Sequence, residues 1–198
     1  VTKRVAVLLV VAAVAVAAVA ALSWWALGRR APAAGEADEE VAPGHSVTFE
    51  LYFPGKGGYL VPEERELAVT SEPQSRARAI VLALLDGPRQ ADLYRPFPED
   101  VVLLDLYLEA DGTAYVDLGQ QGSDRPPSGG SLAEMMRVYS VVDSLVYDVP
   151  EVRRVALLWN GVQRETFSGH LDTSVPLLPE RDLVAASPEG AGAGSTEP

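Results

Sequence analysis

Few side chains in this sequence are spaced for chemistry, and the carboxylates of Asp105 and Asp117 stand first among them. They lie on the two arms of Val101–Leu118, VVLLDLYLEADGTAYVDL. A three-residue loop with Gly112 in the left-handed conformation pairs 108 with 114, 106 with 116 and 104 with 118, which sets Asp105 opposite Asp117. Paired carboxylates can divide acid and base work, as in glycoside cleavage, or offer an acidic patch to a basic partner. The structural alternative is that Asp117 turns away to accept N–H groups of the loop Gly119–Gly130. Tyr107 and Tyr115 fall on the same face, and tyrosine often anchors interfaces. Asp105, Tyr107, Tyr115 and Asp117 are the candidate interaction face.

Other candidates are thinner. Ser168, His170, Asp172 and Ser174 lie within one short segment, whereas a Ser-His-Asp hydrolase needs its three groups to converge from separate elements. His170 and Asp172 share a face of an extended chain, as a surface pair would. With His45 and His170 the only histidines, and no H-x-x-x-H spacing, no metal site is expected. Pro54-Gly55-Lys56-Gly57-Gly58 lacks the phosphate-loop spacing and reads as a turn. Cysteine is absent, which excludes disulfides, thiolate metal sites and cysteine catalysis. No catalytic residue and no cofactor is assigned.

These residues need elements to hold them. Leu104, Leu106 and Leu108 alternate with Asp105, Tyr107 and Glu109, and Ala114, Val116 and Leu118 with Thr113, Tyr115 and Asp117. Period-two alternation on both arms marks half-buried strands, and this register keeps one face apolar. Ser46–Phe53 alternates likewise, and a second strand lies around Arg65–Val69. Two helices interrupt the strands. Ser71 can cap the first, with Gln74 reaching back and Pro73 in its first turn; Gly87-Pro88 ends it. Ser131 and Glu134 form a capping box for the second, whose apolar stripe is Met135, Val138, Tyr139, Val142, Leu145 and Val146. A strand Val152–Trp159 follows, and Asn160-Gly161 turns it into Val162–Phe167. The expected fold is α+β: a two-layer sandwich of a mostly antiparallel sheet with both helices on one face.

The 198 residues carry a net charge of −12 and 47% hydrophobic residues, ample for a core. The four cations Lys3, Arg4, Arg29 and Arg30 precede residue 36, so 36–198 carry −16. Phosphate contacts need Lys and Arg, so nucleic acid is excluded as a partner. Val5–Leu27 is uncharged and could span a bilayer, with Trp24 and Trp25 at its interfacial end. A cleaved signal peptide is the alternative, with Ala31-Pro32-Ala33 resembling its site. The organisation is therefore an anchor at 1–30, a linker at 31–44, an α+β domain at 45–178 and a disordered acidic, Gly-, Ala- and Pro-rich tail at 179–198.

The order of these pieces resembles the GerMN domain of sporulation and spore-germination proteins, in one copy. The carrying residues are VTFELYFP at 47–54, YLVPEERELAV at 59–69, IVLALLDGP at 80–88, YVDL at 115–118 and MMRVYSVVDSLVYDVPEVRRVALLWNG at 135–161. The resemblance implies a non-catalytic extracytoplasmic module, held to the cell membrane, that docks by sheet face or sheet edge to another envelope protein or to itself. A cell-wall glycan- or peptide-binding module is the alternative function, and an envelope hydrolase a more distant one.

Overall fold

The computed structural model describes residues 45–185. Val5–Leu27, the linker 31–44 and the tail from 186 lie outside the described residues. Among the described residues no helix is long and apolar enough to cross a membrane.

The elements run β1 (His45–Pro54), β2 (Leu60–Val69), α1 (Pro73–Asp86), β3 (Val101–Leu108), β4 (Thr113–Gln120), α2 (Ser131–Asp148), β5 (Arg154–Trp159) and β6 (Val162–Gln163). A 3-10 turn at Arg181–Leu183 closes the described chain. The fold is α+β, but its strands form two sheets rather than one: β1–β2, and β3–β4–β5–β6. All neighbours are antiparallel except β4 and β5. Parallel neighbours cannot share a tight turn, and α2 supplies the crossover.

One apolar cluster joins both sheets. Phe49, Leu51 and Phe53 of β1 meet Ile80, Val81 and Leu84 of α1, Val138, Val142 and Leu145 of α2, and Val116, Leu157 and Trp159 of the larger sheet. The second helix is not the one-faced helix its stripe suggests. Ser140 through Leu145 are buried without interruption, Ser140, Asp143 and Ser144 included. The helix packs against β1, β5 and α1, and is enclosed where a helix on one face of a sheet would meet water.

Neither predicted capping set forms. The N-caps are Glu72 and Gly130, and neither helix start has a side-chain cap hydrogen bond. At the other end of α1, Gly87 at φ 91° returns its N–H to the Leu84 carbonyl at 3.1 Å. Glu63 then fastens this turn. Its carboxylate accepts the N–H groups of Arg89 and Gln90 at 2.9 and 2.8 Å and pairs with Arg65, which is buried beside it.

The edges of β1, β2 and β5 are covered by different means, as exposed ladders invite pairing. On β1, the N–H group of Tyr52 points outward and donates to the Ser144 hydroxyl of α2 at 2.9 Å. On β2, Pro62 sits opposite Tyr52, at a position whose N–H would also point outward. Val184 bridges to Leu60, and the Ala185 N–H meets the Leu60 carbonyl at 2.8 Å. Residues 179–185, assigned to the tail from sequence, thus include a paired segment. β5 is flanked by β6 and, at Val155, by Leu177. β3 has β4 as its one strand neighbour.

Candidate functional site

The β3–β4 hairpin has the register of a three-residue loop over most of its length. Leu108 pairs with Ala114, Leu106 with Val116, and Asp105 with Asp117. Gly112 takes φ 86°, and Asp111 accepts the Thr113 N–H at 2.9 Å. Beyond Asp105 the register slips. Leu118 pairs with Leu103, not with Leu104, because a bulge inserts one residue at this point. The bulge turns Leu104 out of the core to 48% exposure. There it lies on Gly119: a Cβ on that glycine would come within 2.7 Å of Leu104 Cδ1 and 2.5 Å of Asn160 Oδ1.

Tyr107 and Tyr115 are Cα partners on the face away from the core, Tyr107 at 55% exposure and Tyr115 half-buried. Asp105 is exposed and accepts the outward N–H of Leu106 at 2.8 Å. Asp117 accepts the Gly161 N–H at 2.9 Å. It therefore holds the Asn160-Gly161 turn, whose residues take φ 51° and 77°, rather than the loop Gly119–Gly130 expected from sequence. Leu104 and Val102, the latter 49% exposed, join this exposed surface. The run VVLL at 101–104, which breaks the alternation, was the signal for them.

The Ser168–Ser174 segment is organised by a residue that sequence reasoning assigned to a helix cap. Glu134 is fully buried and accepts N–H groups of Ser168, His170 and Leu171 at 2.7, 3.0 and 3.1 Å. His170 Nδ1 lies 2.8 Å from the same carboxylate. Burial pushes the Glu134 carboxyl up, and these hydrogen bonds more than reverse it, leaving it below its ordinary value. His170 thus pairs with Glu134, while Asp172 accepts from the N–H and hydroxyl of Ser174 at 2.9 and 2.6 Å. The local serine, histidine and aspartate do not converge on a nucleophile.

Two further acids were invisible in sequence. Asp143 is fully buried, accepts the Glu180 N–H at 3.0 Å and leaves its second oxygen without a partner among the described residues. Burial pushes its carboxyl up to about 7; the Glu180 N–H opposes this and the Glu180 charge adds to it. Asp148 is also raised to about 7, by burial first, with the Glu50 N–H opposing and the Glu50 charge adding. Among the described residues no three His, Asp or Glu side chains gather as metal ligands. The arrangement offers docking surfaces and hydrogen-bonded struts more readily than a reaction centre.

Comparison with known proteins fits this architecture. A family model described as Germane, sporulation and spore germination, matches residues 50–165. No curated protein matches the chain. Among solved structures it is similar to the first GerMN domain of the sporulation protein GerM from Bacillus subtilis. Identity there is 22% over 69% of this chain and 98% of that one, with a TM-score of 0.54. It is also similar to the tandem GerMN domains of the same protein, at 21% identity over 73% of this chain and 48% of that one, with a TM-score of 0.51. At such identity the likeness is one of fold.

Proposed function

Since the chain belongs to the Germane family of sporulation and spore germination, we propose that it is a non-catalytic docking module of the bacterial cell envelope. Val5–Leu27 holds it to the membrane, with the domain 45–178 on the extracytoplasmic side. The partner is another envelope protein, engaged at the β3 edge and the solvent face beside it.

One observation carries this reading: large apolar side chains stand in water on and beside an open strand. Tyr107, Leu104 and Val102 are each about half exposed, whereas solvated sheet faces ordinarily alternate to polar residues. Asp100, Asp105 and Glu109 are exposed along the same strand and its ends. An added strand with basic and apolar side chains in alternation would match both features. A second copy would bring acid against acid, in a chain whose residues 36–198 carry −16, so a basic partner is favoured.

The test is site-specific photocrosslinking in native membranes. A photoreactive side chain at Tyr107 or Leu104 should capture one basic envelope protein, and one at the exposed Arg78 of α1 should not. Capture from position 78 alone, or of a second copy of this chain from position 107, would overturn the assignment. Protease added to intact spheroplasts should digest the domain; protection until lysis would reverse the orientation.

A further inference from the structure

The loop after β4 and the turn after β6 enclose a pocket of about 520 Å³ that the docking reading does not use. We propose that it binds a carboxylate-bearing organic ligand, with room for a single amino-sugar acid or a dipeptide with a free C-terminus.

Charge is the first argument. The sequence has 28 acidic and 16 basic side chains, so an arginine here will ordinarily have an acid beside it. Arg125 and Arg164 both line the pocket, and among the described residues neither is in a salt bridge. Arg164 is pinned at the wall through its hydrogen bond to the Asp124 carbonyl; its Nε–H is buried and has no partner among the described residues, so a ligand would meet its terminal N–H groups instead. Glu134, the buried acid that holds the lining residue Ser168, is saturated by three N–H groups and the His170 ring. Asp124 and Glu165 neighbour the two lining arginines in the chain, but neither pairs with them within salt-bridge distance, which leaves two planar guanidinium groups suited to a carboxylate.

The wall supplies the second argument. Ser128 and Thr166 bring hydroxyls, whereas the Ser168 hydroxyl is buried and without a partner among the described residues. Phe167 gives an apolar floor. The volume is far larger than an inorganic anion needs, and the N–H groups of Ser168, His170 and Leu171, which could have made a phosphate nest, are spent on Glu134. An organic acid with hydroxyl or amide groups uses the remaining donors and acceptors.

The walls are also held in place. Trp159 Nε1 and Asn160 Nδ2 both donate to the Ser123 carbonyl, at 3.2 and 3.0 Å. Arg137 donates to the Pro127 carbonyl at 2.7 Å, and the Phe167 ring meets Phe97 and Trp159 edge-on at 6.4 and 6.1 Å. A site formed before binding loses little affinity to ordering.

Nuclear magnetic resonance titration of the 198-residue chain tests this, with four probes: N-acetylmuramic acid, N-acetylglucosamine, diacetyl-lysyl-D-alanyl-D-alanine and inorganic phosphate. The expected result is saturable shifts at the amides of Ser128, Arg164, Thr166 and Gly169 with one or both carboxylates, at Kd near ~1 mM or below. Muramic acid alone points to a sugar-acid source, and the peptide alone to a peptide terminus. Arg125→Gln alters an exposed side chain and should weaken binding about tenfold with the fold unchanged; Arg164→Gln should do the same. Equal response to N-acetylglucosamine, response to phosphate only, no response, or undiminished binding by the folded Arg125→Gln chain would each overturn the proposal. None of these results bears on crosslinking at Tyr107, so the two readings fail separately.

Discussion

Asp105 and Asp117 are Cα partners across β3 and β4, yet each carboxylate serves a different backbone N–H. Asp105 takes the outward N–H of Leu106 at the open edge, and Asp117 takes the N–H of Gly161 on the β5–β6 side. Like charges directly opposed cost roughly 0.2–1 kcal/mol. Turning the two groups toward opposite sides of the hairpin reduces that cost and supplies two hydrogen bonds.

The two positions should therefore respond differently. Asp117→Ala is expected to cost about 1–2 kcal/mol, since it leaves the Gly161 N–H without its partner. Asp105→Asn should stay within about 0.5 kcal/mol of the parent, because the amide oxygen can still accept from Leu106 while the repulsion is removed. Urea denaturation of both variants measures this. A cost at Asp105→Asn equal to that at Asp117→Ala would contradict the division of roles.

Glu134 should be among the least replaceable polar residues. Removing it strands three N–H groups on the 168–171 turn, so Glu134→Ala should cost on the order of 3 kcal/mol. His170→Ala should cost about 1 kcal/mol, because the ring is half exposed and solvent screens its side of the pair with the buried Glu134. Hydrogen exchange at the Ser168 and Leu171 amides should accelerate in the first variant. Unchanged exchange there would remove Glu134 from its role as a strut.

Stability should fall as pH rises through neutrality. Asp143 and Asp148 titrate near 7 in the fold and near 3.9 in the unfolded chain. For groups raised in this way, the stabilisation is complete below about pH 4 and is lost as pH climbs through 7. At these values each group loses roughly 2–3 kcal/mol between pH 5 and pH 8, so the parent should lose on the order of 5 kcal/mol over that range. Asp143→Asn should match the parent at or below about pH 4, exceed it already at pH 5 and exceed it most at pH 8. A parent more stable at pH 8 than at pH 5 would contradict the assignment.

Gly119→Ala should cost about 1–3 kcal/mol through overpacking, since the new methyl meets both Leu104 and the Asn160 side chain. Leu104→Ala in the same chain removes one of the two obstacles and should recover part of the loss. No recovery in the double variant would place the clash at Asn160 alone.

Local pattern settled a good part of this molecule. Alternation along 101–118, the loop at Gly112, the Asn160-Gly161 turn and the stop at Gly87 are each written within a few residues. The physics behind them, side-chain period and permitted φ, is equally local. Tertiary structure decided the rest. The broken alternation of VVLL at 101–104 marks an irregularity near Leu104, but where the bulge falls and which face Leu104 takes are fixed by pairing with β4. The parallel pairing of β4 with β5 is likewise set by where α2 returns the chain. Periodicity assigns Glu134, Ser140, Asp143 and Ser144 to a wet face of α2, and it fails there because β1 and the 168–180 segment cover that face. What covers a helix is fixed by residues dozens of positions away, so the buried acids become legible only when the chain has closed around them.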